Sequence, residues 1–90
     1  MSQTSEHHHE HTVTVTVFAP KEVDGKTFTF RVNLKVGEAA GEAALAFGYP
    51  PGTKATFKKD GKVLDAGKTL HEAHIHTGEK LDLVDTGGGV

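Results

Sequence analysis

The sequence predicts an α+β domain: a mixed sheet with one helix packed on one face, in the order β-β-α-β-β-(turn)-β. Three observations carry that reading. Two runs of strictly alternating residues, Thr12–Val17 and Phe28–Leu34, are separated by a turn-rich segment. An alanine-rich stretch from Gly37 to Phe47 switches to helical spacing and stops at Gly48 and Pro50-Pro51. A second pair of short strands then brackets Asp60-Gly61, and Leu81–Val84 closes the pattern.

Each element follows from local chemistry. Thr12-Val13-Thr14-Val15-Thr16-Val17 places three valines on one face and three threonines on the other, a strand with one buried side. Pro20 ends it, and Lys21–Lys26 contains Asp24-Gly25, a turn signal that predicts a hairpin. The return strand sets Phe28, Phe30, Val32 and Leu34 against Thr29, Arg31 and Asn33. In the helix, Ala40, Ala43, Ala44 and Phe47 fall at i, i+3, i+4 and i+7, forming one stripe with Gly48 as the C-terminal cap. A face of Ala and Gly, including Gly41, predicts close approach to the sheet. Thr53–Lys59 reads as a strand centred on Ala55 and Phe57, with Lys62-Val63-Leu64 returning from it. Gly67–Ile75 has no clear period and reads as a short helical turn.

Composition narrows the classes. Ninety residues with 36% hydrophobic content allow one compact core. The absence of cysteine removes disulfides, thiolate zinc sites and cysteine catalysis. A net charge of -2 gives no basic footprint for nucleic acid. No apolar run approaches the roughly 20 residues of a membrane span, and no signal-peptide core follows the first residues. The expectation is a soluble, cytoplasmic chain with no membrane partner and no cofactor. Its organisation reads as a polar, histidine-containing tail over 1–11, a folded domain over 12–86 and a flexible glycine tail over 87–90.

Few side-chain constellations point to chemistry. His7-His8-His9 with His11 has imidazoles for a divalent metal but no fixed geometry to hold them. His71-Glu72-Ala73-His74-Ile75-His76 resembles the His-Glu-x-x-His zinc-protease helix, yet the second ligand position is Ile75. These three histidines read as surface residues of a connecting turn, and no metal site is expected. Lys58 and Lys59 read as a solvated strand edge. No catalytic dyad or triad stands out, so the chain is not expected to be an enzyme. Gly87-Gly88-Gly89-Val90 contributes nothing to a core, being either a frayed end or a thin backbone able to enter another protein's channel.

The order and spacing of several segments resemble the ubiquitin family, whose β-grasp fold the chain is therefore expected to share. Gly25–Val32 resembles the family's entry into its second strand, with aromatic residues in place of aliphatic ones. Gly48-Tyr49-Pro50-Pro51 is similar to the Gly-Ile-Pro-Pro that follows the ubiquitin helix. Gly61–Leu64, Gly67–Leu70 with Ile75, and Leu81–Val84 run without a gap against the second half. The resemblance covers Thr12 to Thr86, with a longer first turn and a slightly shorter helix.

The resemblance implies that the closing glycines are the chemistry of the molecule. A processing peptidase would remove Val90, an activating enzyme would adenylate Gly89, and a conjugating enzyme would pass it to a lysine of a protein target. Gly87, Gly88 and Gly89 are then the conjugation tail. Departures from the family redirect the partners. The arginine-bearing linker before the glycines is missing, with Thr86 at the arginine's place. Lys58 stands where ubiquitin's recognition patch has its central isoleucine, Asp82 where it has a histidine, and only Val84 is retained. Lys58, Asp82 and Val84 are thus an interaction surface for a dedicated enzyme set, of the kind best known from bacterial conjugation systems. Lys62 falls at a lysine used for chain building, although a turn lysine is also ordinary structure. Two alternatives share the fold: a non-covalent interaction module with inert glycines, and a sulfur carrier whose terminal glycine becomes a thiocarboxylate.

Overall fold

The computed structural model describes residues 11–86. The elements are β1 (Thr12–Phe18), β2 (Lys26–Arg31), α1 (Val36–Ala46), β3 (Ala55–Lys59), β4 (Lys62–Val63) and β5 (Lys80–Asp85). They form one sheet in the order β2-β1-β5-β3-β4. The pair β1/β5 is parallel, while β1/β2, β3/β5 and β3/β4 are antiparallel. β5, last in the chain, occupies the middle of the sheet, and its parallel pairing with β1 makes the sheet mixed, as predicted.

The helix covers one face of this sheet. Val13, Val15 and Val17 of β1, Phe30 of β2, Phe57 of β3 and Leu81 and Leu83 of β5 turn inward to meet Val36, Ala39, Ala40, Ala43 and Ala44. The small alanine methyls on α1 let it lie close against the strands. Gly41 is not part of that contact: a Cβ built on it meets nothing within 4 Å. The sequence expectation for the alanines holds, and that for the glycine does not. Phe47 is half-buried and ends the helix, with Gly48 at φ 91° completing a Schellman motif. Its two bonds are Tyr49 N–H to Ala44 O at 2.9 Å and Gly48 N–H to Leu45 O at 3.0 Å.

Two differences from the sequence reading have clear causes. The second strand stops at Arg31, opposite Thr12, where β1 begins. The chain instead turns, with Val32 N–H donating to His11 O at 2.7 Å and Leu34 N–H to Arg31 O at 3.1 Å. Val32 and Leu34 still pack against the core. Asp24-Gly25 does not make a two-residue turn; the connection runs from Ala19 to Gly25. Gly25 is required for space: an added Cβ would lie 2.6 Å from Thr16 Cγ2 and 2.8 Å from Phe18 Cε1. Asp60-Gly61 does form the tight turn, with φ of 53° and 81° and Lys59 opposite Lys62.

The segment read as a short helical turn is stitched to the helix N-terminus. Val36 N–H donates to Lys68 O and Gly37 N–H to Ala66 O, satisfying two of the orphan donors that every helix start leaves. Leu70 N–H and His71 N–H donate back to Leu34 O and Val32 O. Within the turn, Thr69 N–H donates to the Glu72 carboxylate at 2.9 Å and Glu72 N–H to Thr69 Oγ1 at 3.0 Å. This reciprocal pair is a capping box, and it delivers Leu70 and Ile75 into the core.

Candidate functional site

Opposite the helix, the sheet presents a face assembled by strand register. Phe18 of β1 is level with Asp82 of β5, Asp82 with Lys58 of β3, and Lys58 with Val63 of β4. Cross-strand partners point to the same side, so these four residues form one row across the sheet. Val84 sits one step further along β5, opposite Thr56. Thr56 is 2% exposed, its hydroxyl donating to Leu64 O at 2.8 Å. The residues singled out from the sequence, Lys58, Asp82 and Val84, thus share one surface. Beside them runs a cleft of about 750 Å³ whose walls include Phe18, Pro20, Glu22 and Asp85.

The row has a charged centre and apolar ends. Val63 is 56% exposed and Phe18 half-buried, on either side of Asp82 and Lys58. No ion pair joins Lys58 to Asp82; the ion pair among the described residues is Lys59 Nζ to Glu79 at 3.0 Å. Lys59 also donates to His74 O at 3.1 Å and so holds the loop before β5. The expectation that Lys58 and Lys59 are a solvated sheet edge is corrected here. β3 lies between β5 and β4, and both lysines are half-buried.

β5 keeps its pairing to the last of the described residues. Asp85 is still in register with Ala55, and Thr86 N–H donates to Lys54 O at 2.9 Å. Strand-like pairing therefore persists to residue 86. Gly87, Gly88, Gly89 and Val90 lie outside the described residues, as do residues 1–10 of the histidine-containing tail. On the helix side of the end of β5 is a second cleft, of about 520 Å³, between the Ala19–Glu22 connection and Phe47–Pro50, with Asp85 on its wall.

The remaining candidates are dispersed. His71, His74 and His76 are exposed, and no group of three or more His, Cys, Asp or Glu able to hold a metal occurs among the described residues. Lys62 is exposed on β4. Glu72 serves the structure, because the Thr69 backbone N–H holds its carboxyl below the usual glutamate value, helped by the Thr69 hydroxyl and the charges of Lys68 and His71. Sequence reasoning missed Phe18 and Val63, whose membership depends on register. It also passed over Thr69-x-x-Glu72, whose capping-box spacing was there to read. No described helix is long and apolar enough to cross a membrane.

No family model and no curated protein matches the chain. Solved structures do. The ubiquitin of Caldiarchaeum subterraneum superposes with a TM-score of 0.70 at 18% identity, covering 88% of this chain and 99% of that one. The ubiquitin-like domain of Plasmodium falciparum Dsk2 gives 0.69 at 16% identity, over 83% and 99%. A structure from work on molecular mimicry of SUMO in DNA repair gives 0.73 at 14% identity, over 88% and 98%. At these identities the likeness establishes the fold: an α+β, ubiquitin-like β-grasp with five strands and one helix.

Proposed function

We propose that this ubiquitin-like domain is a protein modifier whose reactive group is the carboxylate of Gly89. A peptidase removes Val90, exposing that carboxylate. An activating enzyme joins it to AMP, with pyrophosphate leaving ATP. A cysteine thiolate displaces AMP to form a thioester, and a target lysine amine displaces the thiolate to form an isopeptide bond. The chain is then substrate rather than catalyst, acting in the cytoplasm of a bacterium beside its own enzymes.

The observation that carries this reading is the continuity of β5 with the glycines. A ubiquitin-like body pairs its central strand through Thr86, and Gly87-Gly88-Gly89 follows without an intervening linker. Glycines supply the unbranched backbone that successive active sites require. The charged row around Lys58 and Asp82 supports dedicated partners, since an apolar patch made for ubiquitin would leave both charges without water or partners.

A second reading, a non-covalent interaction module, draws on the same face: Phe18, Val63 and Val84 offer apolar contacts without any use of the tail. A sulfur carrier is the third. One experiment separates them. The protein is incubated with ATP and the activating enzyme and peptidase encoded beside it, and intact mass is recorded. Loss of one valine followed by a thiol-labile adduct supports the modifier, and exchange of oxygen for sulfur supports the carrier. A chain that stays intact and unreactive overturns both and leaves the interaction module.

A further inference from the structure

Three features of α1 work against folding, and all three lie on its outer face. Glu38, Gly41, Glu42 and Leu45 fall at i, i+3, i+4 and i+7, opposite the stripe that meets the sheet. Gly41 weakens the helix, yet no neighbour requires it, since a Cβ there meets nothing within 4 Å. Glu38 and Glu42 set like charges four residues apart, which also disfavours the helix. α1 has no basic residue to offset them, and neither joins an ion pair among the described residues. Leu45 is 53% exposed. All four residues line one groove of about 450 Å³, and Leu34, Gly52 and Thr53 complete its walls. The Thr53 side of it is fixed, because Thr53 donates to Pro50 O through its N–H at 3.2 Å and its hydroxyl at 2.6 Å.

We propose that this groove docks a basic amphipathic helix of a partner protein. The bare backbone at Gly41 lets an aliphatic side chain of the partner reach the surface of α1 and pack against Leu34 and Leu45. Lysines or arginines flanking that side chain meet Glu38 and Glu42 and offset their mutual repulsion. The C-terminal end of α1 adds to the attraction, since its last turn has no basic residue to balance the negative end of the helix dipole. An acidic partner would deepen the repulsion, and a second copy of the chain would bring the same two glutamates back against each other in a two-fold pairing. Features that cost the fold something and give it nothing thus converge on one surface, where a ligand makes use of each. The groove lies on α1, across the sheet from the row of Lys58 and Asp82, so the inference stands apart from the modifier reading.

Amide NMR of the full chain, titrated with synthetic helical peptides, tests this. The probe is an amphipathic peptide of alanine, leucine and lysine, about 20 residues long so that it is helical alone. One counterpart carries glutamate for every lysine, and another carries glutamine for every leucine. The leucine–lysine peptide should bind saturably and shift the amides of Leu34, Gly41, Glu42, Leu45 and Thr53. Both counterparts should bind at least about tenfold more weakly. Gly41→Leu fills the groove with a good helix former, so it should weaken the probe about tenfold while the urea midpoint stays at or above the parent's. Glu42→Lys should weaken it about threefold or more and reduce the dependence of binding on salt. Absence of saturable binding by the leucine–lysine peptide overturns the proposal. So do shifts centred on the opposite face of the sheet, lysine and glutamate peptides that bind alike, or variants that bind as the parent does.

Discussion

Replacing Gly41 by alanine should stabilise the protein, and the size of the gain follows from where the glycine sits. It is the sixth of the eleven residues of α1, well inside both caps. Glycine there is about 0.8–1 kcal/mol less favourable than alanine, because the unfolded chain has more backbone freedom to lose. The opposing term would be a clash, but a Cβ at position 41 meets no atom within 4 Å. The net effect is therefore close to the full propensity gain. With a urea dependence of roughly 1 kcal/mol/M for a small domain, the midpoint should rise by about 0.8–1 M. In a thermal scan the same change corresponds to about 4–8 °C. Urea unfolding followed by far-UV circular dichroism measures it directly. Ala40, fully buried one position earlier, is the control: Ala40→Gly should lose the same propensity and the buried methyl besides. A Gly41→Ala variant that unfolds at lower urea would refute the reasoning, showing that the helix needs the missing side chain to approach the sheet.

Three further outcomes are expected. Gly25→Ala should destabilise by about 1–3 kcal/mol in the same urea assay, since its methyl would press on Thr16 and on the Phe18 ring; an unchanged midpoint would mean that the loop yields freely. His74→Gly should raise the urea midpoint by up to about 1 M at that same slope, because His74 is held at φ 60°, where a side chain is strained, and no change would mean the turn relaxes in solution. The Glu72 carboxyl is held below its ordinary value of 4.5, so its contribution is present above that pH and is lost as pH falls through the lower folded value. Urea midpoints recorded on acidification below 4.5 should therefore decline less steeply in Glu72→Gln than in the parent, and parallel curves would sink the assignment.

Much of the fold was legible because its elements obey single-residue rules. Alternation fixed the buried face of Thr12–Phe18, helical spacing found the alanine stripe, and Asp60-Gly61 has the residues that a turn with two positive φ values demands. What escaped was information held between elements. The run Phe28–Leu34 alternates throughout, yet it is a strand only to Arg31, where Leu34 N–H turns back to Arg31 O. Gly25 looks like a turn glycine in sequence and serves instead as clearance for Phe18. The candidate face shows the same division. Lys58, Asp82 and Val84 were found by resemblance, whereas Phe18 and Val63 join them only once four strands are in register.

The central position of β5 also limits how far its C-terminal end can be peeled from the sheet by force or by binding. Peeling Thr86 and Asp85 from Lys54 and Ala55 would free two residues, about 7 Å of chain, and both residues are exposed. The next inward-facing residue is Leu83, which is 2% exposed and packed in the core. Withdrawing such a side chain costs about 1.5–3 kcal/mol, before any loss of pairing to β3. Peeling therefore has a soft limit at Leu83, beyond which each step dismantles the core. Amide exchange maps that boundary: Thr86 should exchange with little protection, and Leu83 should be protected close to the level of global unfolding. If Leu83 exchanged as fast as Thr86, the strand would be loosely held and burial of Leu83 would not be what limits its peeling.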